Sequence, residues 1–143
     1  MKKWLLLHYQ LPAQPSASRV YIWRKLKRLA AILLNDSVWV LPDTPWTAEQ
    51  FQWLLMEIRE RKGEAFLWRS DLILGGQEDA LVAQFVEQVD REYRELVKKM
   101  NRKKPDLTEL SRLYQQIVAA DYFHSALGRQ VREKLLSLRG GKV

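Results

Sequence analysis

The stretch Ser16–Pro42, SASRVYIWRKLKRLAAILLNDSVWVLP, decides how this chain folds. At about 100° per residue, Ile22, Trp23, Leu26, Leu29 and Ala30 fall on one stripe of a helix, with Arg24, Lys25, Lys27 and Arg28 on the other side. Arg19 follows the apolar stripe, so its stem is expected to pack on apolar surface with its head at the edge of the core. The period then changes. Ala31–Leu34 reads as a short strand, Asn35-Asp36-Ser37 as a tight polar turn, and Val38–Leu41 as a second strand closed by Pro42.

Working outward, Lys3–Tyr9 is apolar through Trp4-Leu5-Leu6-Leu7, the pattern of a central strand. Leu11–Ser18 connects it to the helix, and Ser16 or Ser18 is placed to cap that helix. Beyond Pro42, Thr47 and Gln50 have the spacing of a capping box, with Trp46 and Phe51 placed as a hydrophobic staple. The helix they open carries Phe51, Leu54, Leu55 and Ile58 on its buried face and ends at Gly63. Glu64–Leu74 supplies a fourth strand. The order β-α-β-β-α-β predicts an α+β fold, a ferredoxin-like βαββαβ sandwich over residues 1–75.

Gly75-Gly76 marks the boundary, and residues 76–143 are expected to form an all-helical segment of three helices. Over Gln77–Arg102, Val82, Phe85, Val89, Tyr93, Leu96 and Met100 repeat at steps of three and four, forming an apolar seam. Asp106 caps the next helix, whose face is Leu110, Leu113, Tyr114, Ile117 and Val118. His124-Ser125 is a break, and Val131, Leu135 and Leu138 line the last helix. The apolar first strand and the Val82–Met100 seam together predict a homodimer, because both would otherwise expose apolar surface.

The 143 residues include 24 Lys or Arg against 17 Asp or Glu, a net charge of +7, with six Trp and no Cys. That excludes disulfides and thiolate metal sites. Trp4–Leu7 is too short for a secretory core, and no run approaches a membrane span, so a soluble cytoplasmic protein is expected. The charge is clustered: residues 1–35 hold seven basic side chains and no acid, whereas residues 36–90 hold four basic and eleven acidic ones. Clustering of this kind points to a polyanionic partner. DNA is the expected partner, met by Arg24, Lys25, Lys27 and Arg28, with Lys98, Arg102 and Lys103 as a second surface.

Catalytic patterns are missing. His8 and His124 have no partner at metal-ligand spacing, no serine sits in a nucleophile elbow, and Gly75-Gly76 is no phosphate loop. Acidic pairs such as Glu57 and Glu60, or Asp90 and Glu95, read as solvated helix faces. Neither an enzyme nor a bound metal or cofactor is expected. One anion site is conceivable where His8 ends the first strand and Ser16, Ser18 and Arg19 open the next helix, a set suited to a tetrahedral oxyanion.

These residues resemble a known family. Leu11-Pro12, then Ser16, Arg19-Val20, Trp23-Arg24, Leu26, Leu29 and Ala31, and finally Val38, Val40, Leu41 and Pro42, follow the pattern of the N-terminal domain of the chromate-resistance regulatory (ChrB-type) family. Ala30 stands where that family usually has glycine. Arg91-Glu92-Tyr93 and Asp121-Tyr122-Phe123 continue the similarity. The resemblance implies a DNA-binding regulator that responds to chromate, although full-length relatives carry a further sensing domain. The alternative is a dimerising interaction module of the same family without DNA contact. The first half also looks like the small CRISPR-adaptation endonucleases. Those carry an aspartate at the end of the first strand, where this chain reads His8-Tyr9-Gln10.

Overall fold

The structure is a computed structural model that describes residues 2–36 and 38–140, so Ser37 of the expected turn and the tail 141–143 lie outside it. The elements run β1 (Trp4–Gln10), α1 (Ser16–Arg28), β2 (Ile32–Leu34), β3 (Val38–Pro42), α2 (Pro45–Glu60), β4 (Glu64–Ser70), α3 (Gly75–Met100), α4 (Leu107–Ala119) and α5 (Ala126–Gly140). The fold is α+β. The chain divides into two compact units, residues 1–78 and 79–143, the division falling just past Gly75-Gly76.

In the first unit the four strands form one sheet in the order β2-β3-β1-β4, and every neighbouring pair is antiparallel. β1 is an inner strand, with Leu5 opposite both Leu41 and Arg69 and Leu7 opposite both Trp39 and Leu67. That position is why its first half, Trp4-Leu5-Leu6-Leu7, is apolar: Trp4, Leu5 and Leu7 are all buried. Helix α2 packs on β4 and β1, bringing Phe51, Leu54 and Ile58 into the core, and α1 adds Ile22 and Leu26. Gly63 makes the return from α2 to β4 possible. A Cβ there would lie 2.5 Å from the Gln10 carbonyl and 2.8 Å from Ile58, so only glycine lets the backbone pass.

Two expected helix starts are corrected. Neither serine caps α1, which begins behind Pro15 without a side-chain cap. Ser16 is already the first helical residue, and Ser18, inside the first turn, is buried and accepts a hydrogen bond from Arg61 at 3.2 Å. Helix α2 starts earlier than the Thr47/Gln50 box. Thr44 is its cap, the Thr47 amide donates to Thr44 Oγ1 at 3.1 Å, and the Thr44 amide donates to Thr47 Oγ1 at 2.8 Å. Pro45 explains the shift, since its fixed φ and missing N–H suit the first helical position. Trp46 lies within the first turn of α2, two residues past the Thr44 cap, and is 44% exposed, whereas Phe51 is buried. The fourth strand stops at Ser70, short of Leu74.

The second unit is helical. Val89, Tyr93, Leu96 and Met100 of α3 join Leu110 of α4 with Val131 and Leu135 of α5 in one core cluster. Near the start of the seam Leu81, rather than Val82, is the buried residue. Asp106 caps α4 as expected, accepting from the Glu109 amide at 3.2 Å. The seam is thus filled from within the chain, and β1 is an inner strand. Of the two surfaces on which the expected homodimer rested, β1 buries Trp4, Leu5 and Leu7 and leaves Leu6 half-buried, while the seam buries Phe85, Val89, Tyr93, Leu96 and Met100 and leaves Val82 half-buried.

Candidate functional site

Helix α1 does not present all four of its cations alike. Arg24, Lys27 and Arg28 are exposed. Lys25 turns toward α2, where its ammonium lies 3.0 Å from Glu57 and 5.0 Å from the centre of the Tyr21 ring. The Tyr21 hydroxyl donates to the same Glu57 carboxylate, and the Arg61 guanidinium stacks 4.0 Å over the other side of that cluster, on the Tyr21 ring. Burial alone would raise the Glu57 pKa. The hydrogen bonds from Tyr21 and Lys25 outweigh it, helped by the charges of Lys25 and Arg61, and hold the carboxyl below its ordinary value. Lys25 is correspondingly raised, through its contacts with Tyr21 and then Glu57. Lys25 therefore belongs to the α1–α2 junction, and Glu57 is no solvated acid.

On the long helix, Lys98 is paired with Glu95 at 3.1 Å, while Arg102 and Lys103 are exposed just past its end and make no salt bridge among the described residues. Asp90, expected on a solvated face, instead accepts the Ser125 hydroxyl. Asp121 accepts the Tyr93 hydroxyl at 2.8 Å and the Ser125 amide at 3.0 Å. Desolvation, then the bond to Asp121, pushes the Tyr93 phenol far up. This network fixes the turn into α5 and was not legible from sequence, because it joins α3 to the α4–α5 connection across 28 to 35 residues.

The first unit holds a cleft of about 880 Å³ at the end of β1. His8 and Arg19, two of the four residues expected to hold an oxyanion, both line it. Ser16 and Ser18 do not, and Ser18 is turned to Arg61 instead. Trp23, expected in the core, is 51% exposed and lines the same cleft, and Lys27 lies 5.9 Å over its ring. The stripe of α1 is centred on Ser18, Ile22 and Leu26, which places Arg19 and Trp23 together at its edge. The Tyr9 phenol, also in the lining, is raised by burial, an effect that the hydrogen bond from Trp39 and the nearby charge of Arg19 oppose. Sequence reasoning missed Lys62, Asp36 and Glu64, which also line the cleft. Lys62 and Asp36 sit at positive φ, +68° and +63°, in turns that the sequence marks only as polar.

Among the described residues no three His, Asp or Glu side chains are grouped to hold a metal ion, and no helix is long and apolar enough to cross a membrane. Asp43 is ion-paired with Arg69.

A family described as "Protein ChrB, N-terminal" matches residues 19–119, more than half of the chain. This chain belongs to the ChrB N-terminal family. The match begins at Arg19, inside α1, and continues through α4; of the cleft it takes in Arg19, Trp23, Asp36, Lys62 and Glu64, and it leaves out His8. Protein ChrB of Cupriavidus metallidurans (strain ATCC 43123 / DSM 2839 / NBRC 102507 / CH34) is 33% identical over 64 residues, 45% of this chain and 20% of that protein. The matched stretch thus spans about a fifth of that relative's length. No solved structure matches.

Proposed function

We propose that this ChrB N-terminal chain is a DNA-binding regulatory module of the chromate-resistance type, and that α1 is the helix that meets DNA. The observation that carries the reading is the outer face of α1. Arg24, Lys27 and Arg28 are exposed together, make no salt bridge among the described residues, and lie in a stretch without one acid up to Asn35. Phosphate contacts need cations that are free in this sense, because each neutralised phosphate releases counterions. Arg102 and Lys103 rank second, since Glu92 and Glu95 lie close by in sequence and Lys98 is already paired. We further infer that the first unit is a ferredoxin-like sandwich. The β2-β3-β1-β4 order, antiparallel throughout, with a helix in each of the β1–β2 and β3–β4 connections, supports that reading.

The test is a salt titration of binding to duplex DNA from upstream of the chain's own gene, followed by fluorescence anisotropy. Arg24→Ala with Lys27→Ala is expected to lower the slope of log affinity against log salt by roughly 2 and to weaken all sequences about equally. An unchanged slope refutes α1 as the contact. One observation favours the alternative, an interaction module that never touches DNA: Phe66 and Trp68 on edge strand β4 are 58% and 57% exposed and stack at 6.3 Å. Loss of self-association in Phe66→Ser with Trp68→Ser, together with no affinity for DNA in the parent, would establish that reading instead.

A further inference from the structure

The cleft at the end of β1 is built for more than a small inorganic ion. Its volume of about 880 Å³ lies within the range of roughly 300–1,000 Å³ typical of organic ligand sites. A single tetrahedral oxyanion would occupy little of it. Its lining has three parts. Trp23 offers a ring that is 51% exposed, with Lys27 5.9 Å over it. Arg19 and Lys62 bring two cations, and Asp36 and Glu64 bring two carboxylates. Among the described residues none of these four charges is spent in a salt bridge, unlike Lys25, Asp43 and Arg69 of the same unit.

The lining excludes two ligand classes. A purely apolar molecule would desolvate four charges without replacing their hydrogen bonds. A bare dianion would find its cations but would also face Asp36 and Glu64. A nucleotide satisfies all three parts at once: its base can stack on Trp23, its phosphate can meet Arg19 or Lys62, and its amino groups can donate to the carboxylates. We propose that this cleft is a nucleotide-binding site, with Trp23 as the stacking platform and Arg19 as the phosphate contact. The nucleotide comes either from a free monophosphate or from a single strand, and the chemistry is shared. Arg24 and Arg28 of the DNA reading do not line the cleft, and the two readings meet only at Lys27, which lies 5.9 Å over the Trp23 ring.

The experiment is calorimetric titration of the full chain at low salt with adenosine monophosphate, adenosine, sodium sulfate and a short single-stranded oligonucleotide. The monophosphate is expected to bind with a dissociation constant below about 1 mM. Adenosine and sulfate are each expected to bind at least tenfold more weakly. Arg19→Ala and Trp23→Ala should each weaken the monophosphate by about tenfold, the stacking part being in line with a base on an aromatic side chain. Trp23→Phe keeps a ring and should retain most of the affinity. Arg132→Ala, an exposed cation in the other unit, should change nothing. Tighter binding of the oligonucleotide through the same two residues assigns the nucleotide to a strand, and tighter binding of the monophosphate assigns it to the free pool. Sulfate binding as tight as the monophosphate overturns the proposal, as does monophosphate affinity unchanged in the Arg19 and Trp23 variants, or no binding up to about 1 mM.

Discussion

Ala30 sits just past the end of α1 with φ of +61°, in the left-handed region where a Cβ crowds the following carbonyl. The position follows the C-cap Leu29, and its amide closes the helix on the Lys27 carbonyl at 3.0 Å, so the conformation is imposed by the helix end. Glycine is the residue this site asks for. Ala30→Gly is expected to stabilise the chain by about 1 kcal/mol, read as a higher urea midpoint with an unchanged slope. A lower midpoint would mean that unfolded-chain entropy outweighs the strain. Glu57 makes a second residue-scale prediction. Its carboxyl is held below the ordinary 4.5, so it contributes stability at pH values above about 4.5 that is lost as pH falls through the lower folded value. Glu57→Gln should cost about 1 kcal/mol near neutral pH, the partial exposure of the pair limiting the effect, and should flatten the acid limb of the stability profile. A parallel acid limb in the variant would show that other carboxylates govern it.

At the scale of elements, the sequence was most legible where burial follows a single period. The α3 seam from Phe85 to Met100, the Asp106 cap and the apolar inner strand β1 all read directly, because each is set by local pattern. Reading failed where the position of one residue moved a whole boundary. Pro45 drew the start of α2 back to Thr44, and the helical placement of Ser16 and Ser18 took both hydroxyls out of the expected anion site. Trp23 shows the same limit: a stripe read by angle could not say that its edge opens onto a cleft. Two residues of the cleft, His8 and Arg19, had been expected together at the end of β1. Lys62, Asp36 and Glu64 reach it only through turns whose geometry the sequence does not state. Packing between helices was equally hidden. A Cβ on Gly128 of α5 would lie 2.7 Å from the Tyr93 hydroxyl and 2.8 Å from its ring. Gly128→Ala must therefore push against a buried ring tied to Asp121, and a loss of about 1–3 kcal/mol is expected, measured by thermal unfolding. If Tyr93→Phe with Gly128→Ala restores no stability while Gly128→Ala alone is neutral, the close approach does not constrain the helix pair.

For the whole molecule, the net charge of +7 says little until it is sorted by engagement. The seven cations of residues 1–35 include Lys25, bound to Glu57, and Lys3, paired with Asp71 at 2.9 Å. On α3, Arg94 is paired with Glu87 at 2.9 Å and Lys98 with Glu95 at 3.1 Å. Among the described cations that make no salt bridge, two groups are close neighbours in sequence, Arg24, Lys27 and Arg28 on α1, and Arg102 and Lys103 beyond α3. These give different expectations for DNA. Contact through α1 alone neutralises about three phosphates and predicts a slope of log affinity on log salt near −3. Contact through both places predicts a slope nearer −4 or −5. Arg102→Ala with Lys103→Ala is therefore expected to leave a slope near −3 unchanged if α1 alone meets DNA. Circular dichroism should confirm that the double variant keeps its helix, since both side chains are exposed and neither belongs to the core cluster around Tyr93 and Leu96. A slope that falls by roughly 2 in this variant, while Arg24→Ala with Lys27→Ala leaves it intact, would move the DNA contact from the first unit to the second.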